Sequence, residues 1–211
     1  MKKDYSKIIE HYESCLEKHG DNHLGVDWPK LDDVEKRYKI MLDIIRINEE
    51  NDNIVSLLDF GCGTAHLLEY IKKNNFKKIL YSGLDISQKF IDVAKEKHPK
   101  YSFFCTDILN SDFGIQNFDY IVMNGVFTEK RELSFDEMWE YFTKMITIIY
   151  EKCNKGFSFN VMSKNVDWER EDLFHVSHDF LSDFLCKNLT RNYIIRNDYG
   201  LYEYTVYVLK K

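Results

Sequence analysis

Between residues 54 and 188, apolar runs of strand length alternate with amphipathic runs of helical period, and this alternation most narrows what the chain can fold into. The strand-like runs are "IVSLLDF", "ILYSGLD", "YSFFCTD", "FDYIVMNGVF" and "GFSFNVM". Helical patterns fall at 64–73, 87–97, 134–152 and 177–188. Parallel neighbours need crossovers, so this order predicts a parallel sheet with helices on both faces. Ser87 and Pro99 bracket one helix, and Ser134 with Glu137 makes a capping box for another. The tail differs: "TRNYIIR", "NDYG" and "LYEYTVYVL" read as strand, turn and strand, a hairpin that adds one reversed strand. Ahead of the alternation, residues 4–19 form a helical pattern with Ile8, Ile9, Tyr12 and Leu16 on one side. A loop at 19–30 follows, then a second helix from about Asp32, with Asp32 and Glu35 as a capping box and "ENDN" (50–53) as its break.

The chain has 211 residues, 44% hydrophobic and 30% charged, which suits one folded domain over 1–211: a helical cap at 1–50 and an α/β core at 51–211. A net charge of −6 speaks against a general nucleic-acid binder. Five scattered cysteines, none in CxxC spacing, indicate neither a disulfide framework nor a zinc site, so no metal is expected. No apolar run approaches the roughly 20 residues of a membrane span, and no apolar stretch follows the two N-terminal lysines as in a signal peptide. The cytoplasm is the expected location.

The stretch "LLDFGCGTAHLLEYI" (57–71) ends a strand in an acid, places two glycines one residue apart and opens a helix. Glycine lets backbone approach a ligand closely at such a turn, although glycine also serves plain tight turns. The dinucleotide spacing GxGxxG needs a third glycine at position 66, where this chain has His66. Instead the order is acid-x-Gly-x-Gly-x-small: Asp59, Gly61, Gly63, Ala65. That order resembles motif I of the class I S-adenosylmethionine (SAM)-dependent methyltransferases, in which a third glycine usually stands where Ala65 does.

The resemblance runs by motif over 54–127 and by element order over 128–211. It implies an α/β, Rossmann-like, doubly wound seven-stranded sheet, mostly parallel with one antiparallel strand in the C-terminal hairpin. It also implies SAM as donor and S-adenosylhomocysteine (SAH) as product. Asp85, followed by Ile86, ends the second strand, where an acid takes the ribose hydroxyls. At the third strand's end Asp107 is implied to accept from the adenine amino group, with the Ile108 backbone amide against the ring. Asn124 and Gly125 occupy motif IV, beside the methyl donor. Asp59 orders the glycine turn or faces the methionine amino group. The buried position expected of Cys62 makes it a small packing residue rather than a nucleophile. Stand-alone methyltransferases of bacterial polysaccharide gene clusters are similar in "GVDWPK" with "EKRYKIML", in "NGVFTEKRELSFDEMWEYF" and in "DYGLYEYT". By that likeness Arg37 faces the methionine carboxylate, to which a guanidinium can bind bidentately, and Trp28 covers the sulfonium or packs in the core.

Methyl transfer is an in-line displacement, and a base is needed only when the acceptor carries a proton. The likeness to the polysaccharide-cluster enzymes implies O-methylation of a small molecule, such as a capsular phosphoramidate or phosphate-like group, or a sugar. Two segments can hold it. Glu129, Lys130 and Arg131 follow motif IV and otherwise read as a solvated charge run. "SKNVDWEREDLFHVSH" (163–178) offers Asp167, Trp168 and His175, with His175 as first choice for the base or otherwise a packing residue. Tyr199, with Tyr202, is a candidate pocket wall. Two rival readings are an NAD-dependent oxidoreductase, opposed by His66, and a catalytically silent SAM-binding partner protein. Neither the acceptor's reacting atom nor the oligomeric state is written in these residues.

Overall fold

A computed structural model describes residues 5–48, 53–110 and 116–210. Its elements are α1 (Ser6–His19), a 3-10 turn (His23–Val26), α2 (Leu31–Asn48), β1 (Val55–Phe60), α3 (His66–Lys73), β2 (Ile79–Asp85), α4 (Gln88–Lys97), β3 (Ser102–Cys105), β4 (Phe118–Phe127), α5 (Phe135–Lys152), β5 (Cys153–Ser163), β6 (His175–Val176), α6 (His178–Asn188), β7 (Tyr193–Arg196) and β8 (Glu203–Leu209). The first residues of the expected first helix and most of the "ENDN" break lie outside the described residues.

The sheet runs β3-β2-β1-β4-β5-β8-β7. All pairs are parallel except those of β8, which runs antiparallel to both β5 and β7. The mixed sheet with one reversed strand in a C-terminal hairpin is therefore as the sequence predicts. An eighth, two-residue strand was not foreseen: β6 pairs with Met162 and Ser163 at the end of β5, inside the segment read as a loop. Other boundaries move for local reasons. The second helix begins at Leu31, which places Asp32 within its first turn, and Glu35 accepts from Lys73 Nζ instead of closing a capping box. Ser87 holds the N-cap position of α4, yet its hydroxyl donates to Glu13 at 2.6 Å. The Ser134–Glu137 capping box forms in full.

Two cores follow from the two-residue period of the strands. Leu57, Tyr120 and Val122 face the side covered by α2, α3 and α4, while Leu58, Ile121 and Met123 face α5 and α6. The second side is dense in aromatics: Phe142 meets Phe127 edge-on at 5.0 Å between ring centroids and stacks with Trp139 at 5.3 Å. The N-terminal segment expected as a cap divides between two roles. α2 covers the sheet, whereas α1 brings Ile8, Ile9 and Tyr12 to the carboxyl ends of the strands.

One irregularity positions the site. Along β4 and β5, Met123 pairs with Phe159 and Phe127 with Val161, so β4 spends two more residues than β5 over this stretch. The bulge frees Asn124, Gly125 and Val126 from the ladder at the strand's carboxyl end. Phe142 is fully buried in the aromatic cluster. Phe142→Ala is expected to cost about 3–5 kcal/mol of unfolding free energy, read by denaturant titration.

Candidate cofactor and acceptor pockets

A cavity of about 150 Å³ opens where β1, β2 and β4 end, under α1. Gly61 and Gly63 line it with φ of +74° and +52°, values that L side chains rarely adopt. A Cβ on Gly61 would stand 2.6 Å from Val126 Cγ2, so the turn and the β4 bulge require each other's shape. Ala65 is left-handed as well, with φ +67°, and fully buried, which explains why a glycine is usual there in the family it resembles. His66 also lines the cavity, and its Nε2 lies 2.6 Å from Asp21 Oδ1, which ties the N-terminal loop to α3.

Three acids stand around this turn. Asp59 is buried and accepts from the Tyr81 hydroxyl at 2.7 Å. Burial pushes its carboxyl up to about 7, against the lowering by the Tyr81 bond and with a further push from Asp85. Asp85 lines the cavity and accepts from the backbone of Gly63 and of Ser87, both at 2.9 Å. Burial also raises Asp85, while the backbone N–H groups of Ser87, Gly63 and Ile86 pull it down. Asp107 lies beyond β3 in a turn and bonds the Tyr5 hydroxyl, Asn110 and the backbone of Leu109. Asp107 is thus engaged by Tyr5, just ahead of α1, and is not among the residues lining the cavity, and the Ile108 side chain is buried in the core. Ile86, Asn124 and Gly125, expected at the donor site, line the cavity. Both amide atoms of Asn124 are buried without a hydrogen-bond partner among the described residues. Cys62 is a buried wall residue whose thiol is pushed well up by burial, the opposite of an activated nucleophile.

A second pocket, about 340 Å³, adjoins the first and shares Trp28 and Gly125 with it. Here the structure brings together Arg37, Glu129, Asp167, Trp168 and His175. Arg37 thus falls in this pocket and not among the walls of the first, where the methionine carboxylate was expected. Its Nε reaches both oxygens of buried Glu203 at 3.1 and 3.0 Å, and its guanidinium lies 5.2 Å from the centroid of the Trp28 ring. Glu203 also accepts from Asn160 Nδ2 at 2.9 Å, and Asn160 Oδ1 accepts from the Gly125 N–H at 2.8 Å. This buried chain of polar contacts was missed in the sequence. Its only signal is a pair of polar residues inside otherwise apolar strand runs.

His175 differs from its expected role. Nδ1 lies 2.6 Å from the Ser163 carbonyl, and Nε2 accepts from the Arg170 N–H at 3.2 Å. A donor at Nδ1 and an acceptor at Nε2 fix one neutral tautomer, and no lone pair remains to take a proton. Lys130 and Arg131 lie outside this pocket, on a neighbouring surface groove, where Lys130 Nζ donates to the Leu133 carbonyl at 3.0 Å and Arg131 bridges Glu129 and Asp172. Tyr199 is buried with its hydroxyl 2.9 Å from Thr205 Oγ1, and is not a pocket wall. Tyr5, Tyr38, Phe90 and Tyr141, which the sequence left unread, line the first cavity. Among the described residues one group has the composition of metal ligands, His11, Cys15 and Asp27, but His11 and Asp27 already pair at 2.8 Å. No helix of the described residues is long and apolar enough to cross a membrane.

Two substitutions test this account of the turn. Ala65→Gly relieves the left-handed strain and is expected to add about 0.5–1 kcal/mol to unfolding free energy in denaturant. Asp59 is raised in the fold from an ordinary value of about 3.9, so the folded state binds more protons than the unfolded one between about pH 4 and 7. Its contribution to stability is therefore present below about pH 4 and lost as pH rises through about 7, and Asp59→Asn is expected to flatten that slope in parallel denaturant titrations.

Residues 58–146 match the family model described as "Methyltransferase domain". Rv1506c of Mycobacterium tuberculosis (strain ATCC 25618 / H37Rv), a protein named only provisionally as a methyltransferase, is 29% identical over 161 residues, 74% of this chain and 93% of that protein. Magnesium protoporphyrin IX methyltransferase (ChlM) from Synechocystis PCC 6803, solved with bound SAM, superposes with a TM-score of 0.60 at 14% identity, covering 99% of this chain and 95% of that one. The plantazolicin methyltransferase BpumL, solved with SAH and a desmethyl substrate analogue, gives 0.62 at 15% identity, covering 100% and 92%. The chain has the fold of the class I SAM-dependent methyltransferases, with a Rossmann-like sheet and N-terminal helices.

Proposed function

We propose that this protein transfers the methyl group of SAM to a small-molecule acceptor, with the donor in the cavity at the glycine turn and the acceptor in the adjoining pocket. The observation that carries the reading is Asn124. A buried amide with neither donor nor acceptor satisfied among the described residues costs a few kcal/mol unless a ligand completes it, and Asn124 is one of the residues that line the cavity, next to Gly125 of the wall shared by the two pockets. The glycine turn, with Gly61 unable to accept a Cβ, is the backbone cradle such a ligand needs.

SAM, when bound, supplies an electrophilic methyl group on a sulfonium sulfur. Asp85 then accepts from the ribose, and Asp107 from the adenine once Tyr5 releases it. Gly61 and Gly63 admit the donor's methionyl part, near Asp59. Trp28 and Gly125 form the wall through which the two ligands meet, and Trp28 keeps water from the junction. Transfer to oxygen is what the likeness to polysaccharide-cluster enzymes implies, with a phosphoramidate or phosphate-like group, or a sugar, as acceptor. The fold does not choose between them, since a porphyrin methyltransferase and a plantazolicin methyltransferase share it. An NAD-dependent oxidoreductase is disfavoured by His66, whose ring is spent on Asp21 where a third glycine would stand.

Isothermal calorimetry tests the donor site. SAH is expected to bind one-to-one, and Asp85→Ala to weaken it by about 10–150-fold, the value of a hydrogen bond to a charged group. No heat with SAH, or equal affinity for wild type and Asp85→Ala, would remove the reading.

A further inference from the structure

Resting on that reading, we infer that the acceptor is an uncharged, hydroxyl-bearing ring compound, and that Glu129 is the group that takes its proton. Charge is the first argument. The acceptor pocket is lined by five carboxylates, Asp27, Asp33, Glu129, Asp167 and Glu203, against three cations, Lys30, Arg37 and Arg170. Two of those cations are already neutralised: Arg37 by both oxygens of Glu203, Arg170 by Asp172 at 2.5 Å. Lys30 is left, and it is exposed to solvent. A phosphoryl or carboxylate acceptor reaching the wall would meet Glu129 and no uncommitted cation, which makes its desolvation uncompensated.

The walls are the second argument. Trp168 and Tyr202 are 71% and 59% exposed, large rings held out at the pocket mouth. They line the pocket together with Asp167, which offers two acceptor oxygens and has no ion-pair partner among the described residues. Flat apolar faces beside hydroxyl acceptors suit a ring that presents C–H faces and O–H edges, and a pocket of this volume takes one or two such rings.

Position singles out Glu129. It follows the β4 bulge closely, with Thr128 donating to the Gly125 carbonyl at 3.0 Å; it lines the acceptor pocket, and its charge is felt by Tyr12, a wall residue of the first cavity. The side chain is 8% exposed. One oxygen pairs with Arg131 at 3.2 Å, and the other accepts no hydrogen bond among the described residues. Groups from every side bear on it: Arg131 and Asp172 from the acceptor loops, Asp27 from the N-terminal loop, Tyr12 and Cys15 from α1. Burial raises its carboxyl, Arg131 lowers it, and Asp172 and Asp27 raise it again, which brings it closer to the working range of a base. His175, the other basic side chain of the pocket, has both nitrogens committed to backbone.

The step balances. The acceptor oxygen forms a bond to the methyl carbon as the carbon–sulfur bond breaks, the electron pair of that bond stays on sulfur, and the hydroxyl proton moves to the Glu129 carboxylate and then to solvent. The products are the methyl ether and SAH.

The test offers the protein and SAM three probe sets and reads homocysteine after SAH hydrolysis: uncharged aryl glycosides, the 6-phosphates of the same sugars, and simple alkyl phosphoramidates. Transfer is expected to the glycosides, at least tenfold faster than to either phosphoryl set. Glu129→Gln is expected to leave the SAH dissociation constant within about threefold and to lower turnover by about 10²–10⁴, with Glu129→Asp recovering part of it. The inference is overturned by preferred transfer to a phosphoryl probe, by SAH binding with no glycoside methylated, or by near-normal turnover in Glu129→Gln. Failure of the methyltransferase reading itself looks different: no SAH binding and no homocysteine from any set.

Discussion

The amide of Asn160 holds together the parts of the molecule on which both pockets depend. Its oxygen fixes the Gly125 N–H, its nitrogen fixes Glu203, and Glu203 in turn fixes Arg37 under the Trp28 ring. One side chain on β5 thereby joins the bulge of β4, the start of β8 and the helix α2. A buried carboxylate and guanidinium are costly to desolvate and hold their place only when every member is satisfied. The chain is therefore closer to all-or-none than a set of separate contacts, and removing one member leaves the others buried and unpaired. Gly125 sits at φ +81° with the Trp28 ring about 3.5 Å from where a Cβ would be, so the wall between the pockets is as thin as backbone allows.

Much of the frame was legible because it rests on local pattern. The strands' two-residue period, the Ser134–Glu137 box and the hairpin signal in "NDYG" each belong to short stretches of chain, and the structure keeps them. The glycine turn was legible for a similar reason: the positive φ at Gly61 and Gly63 is a property of the turn itself. Asn124 and Gly125 could be placed because a strand's carboxyl end is where an open α/β sheet meets its ligand.

What stayed hidden depends on partners distant in sequence. Arg37 and Glu203 are 166 positions apart, and nothing near either residue announces the other. A free guanidinium on a helix and one clamped by a carboxylate look alike in one dimension. His175 misled for a related reason: its neighbours in sequence are charged and aromatic, but its hydrogen-bond partners are the backbone of Ser163 and Arg170, available only once β6 pairs with β5. Tyr5 is a third case, since its bond to Asp107 spans 102 positions.

The placement of α1 carries a consequence for how the solution around the protein acts on it. Its inner face is cavity wall, Ile8, Ile9 and Tyr12, while its outer side is fastened to α4 by exposed pairs, Lys89 with Glu13 at 2.9 Å and with Glu17 at 2.5 Å. Such pairs are weak and are screened by salt, whereas the sheet beneath is indifferent to it. Ionic strength therefore bears on the cavity at the glycine turn through one helix: salt weakens the outer ion pairs of the roof, while the Tyr12 bond to the Gly125 carbonyl and the Ser87 bond to Glu13 are less sensitive to it.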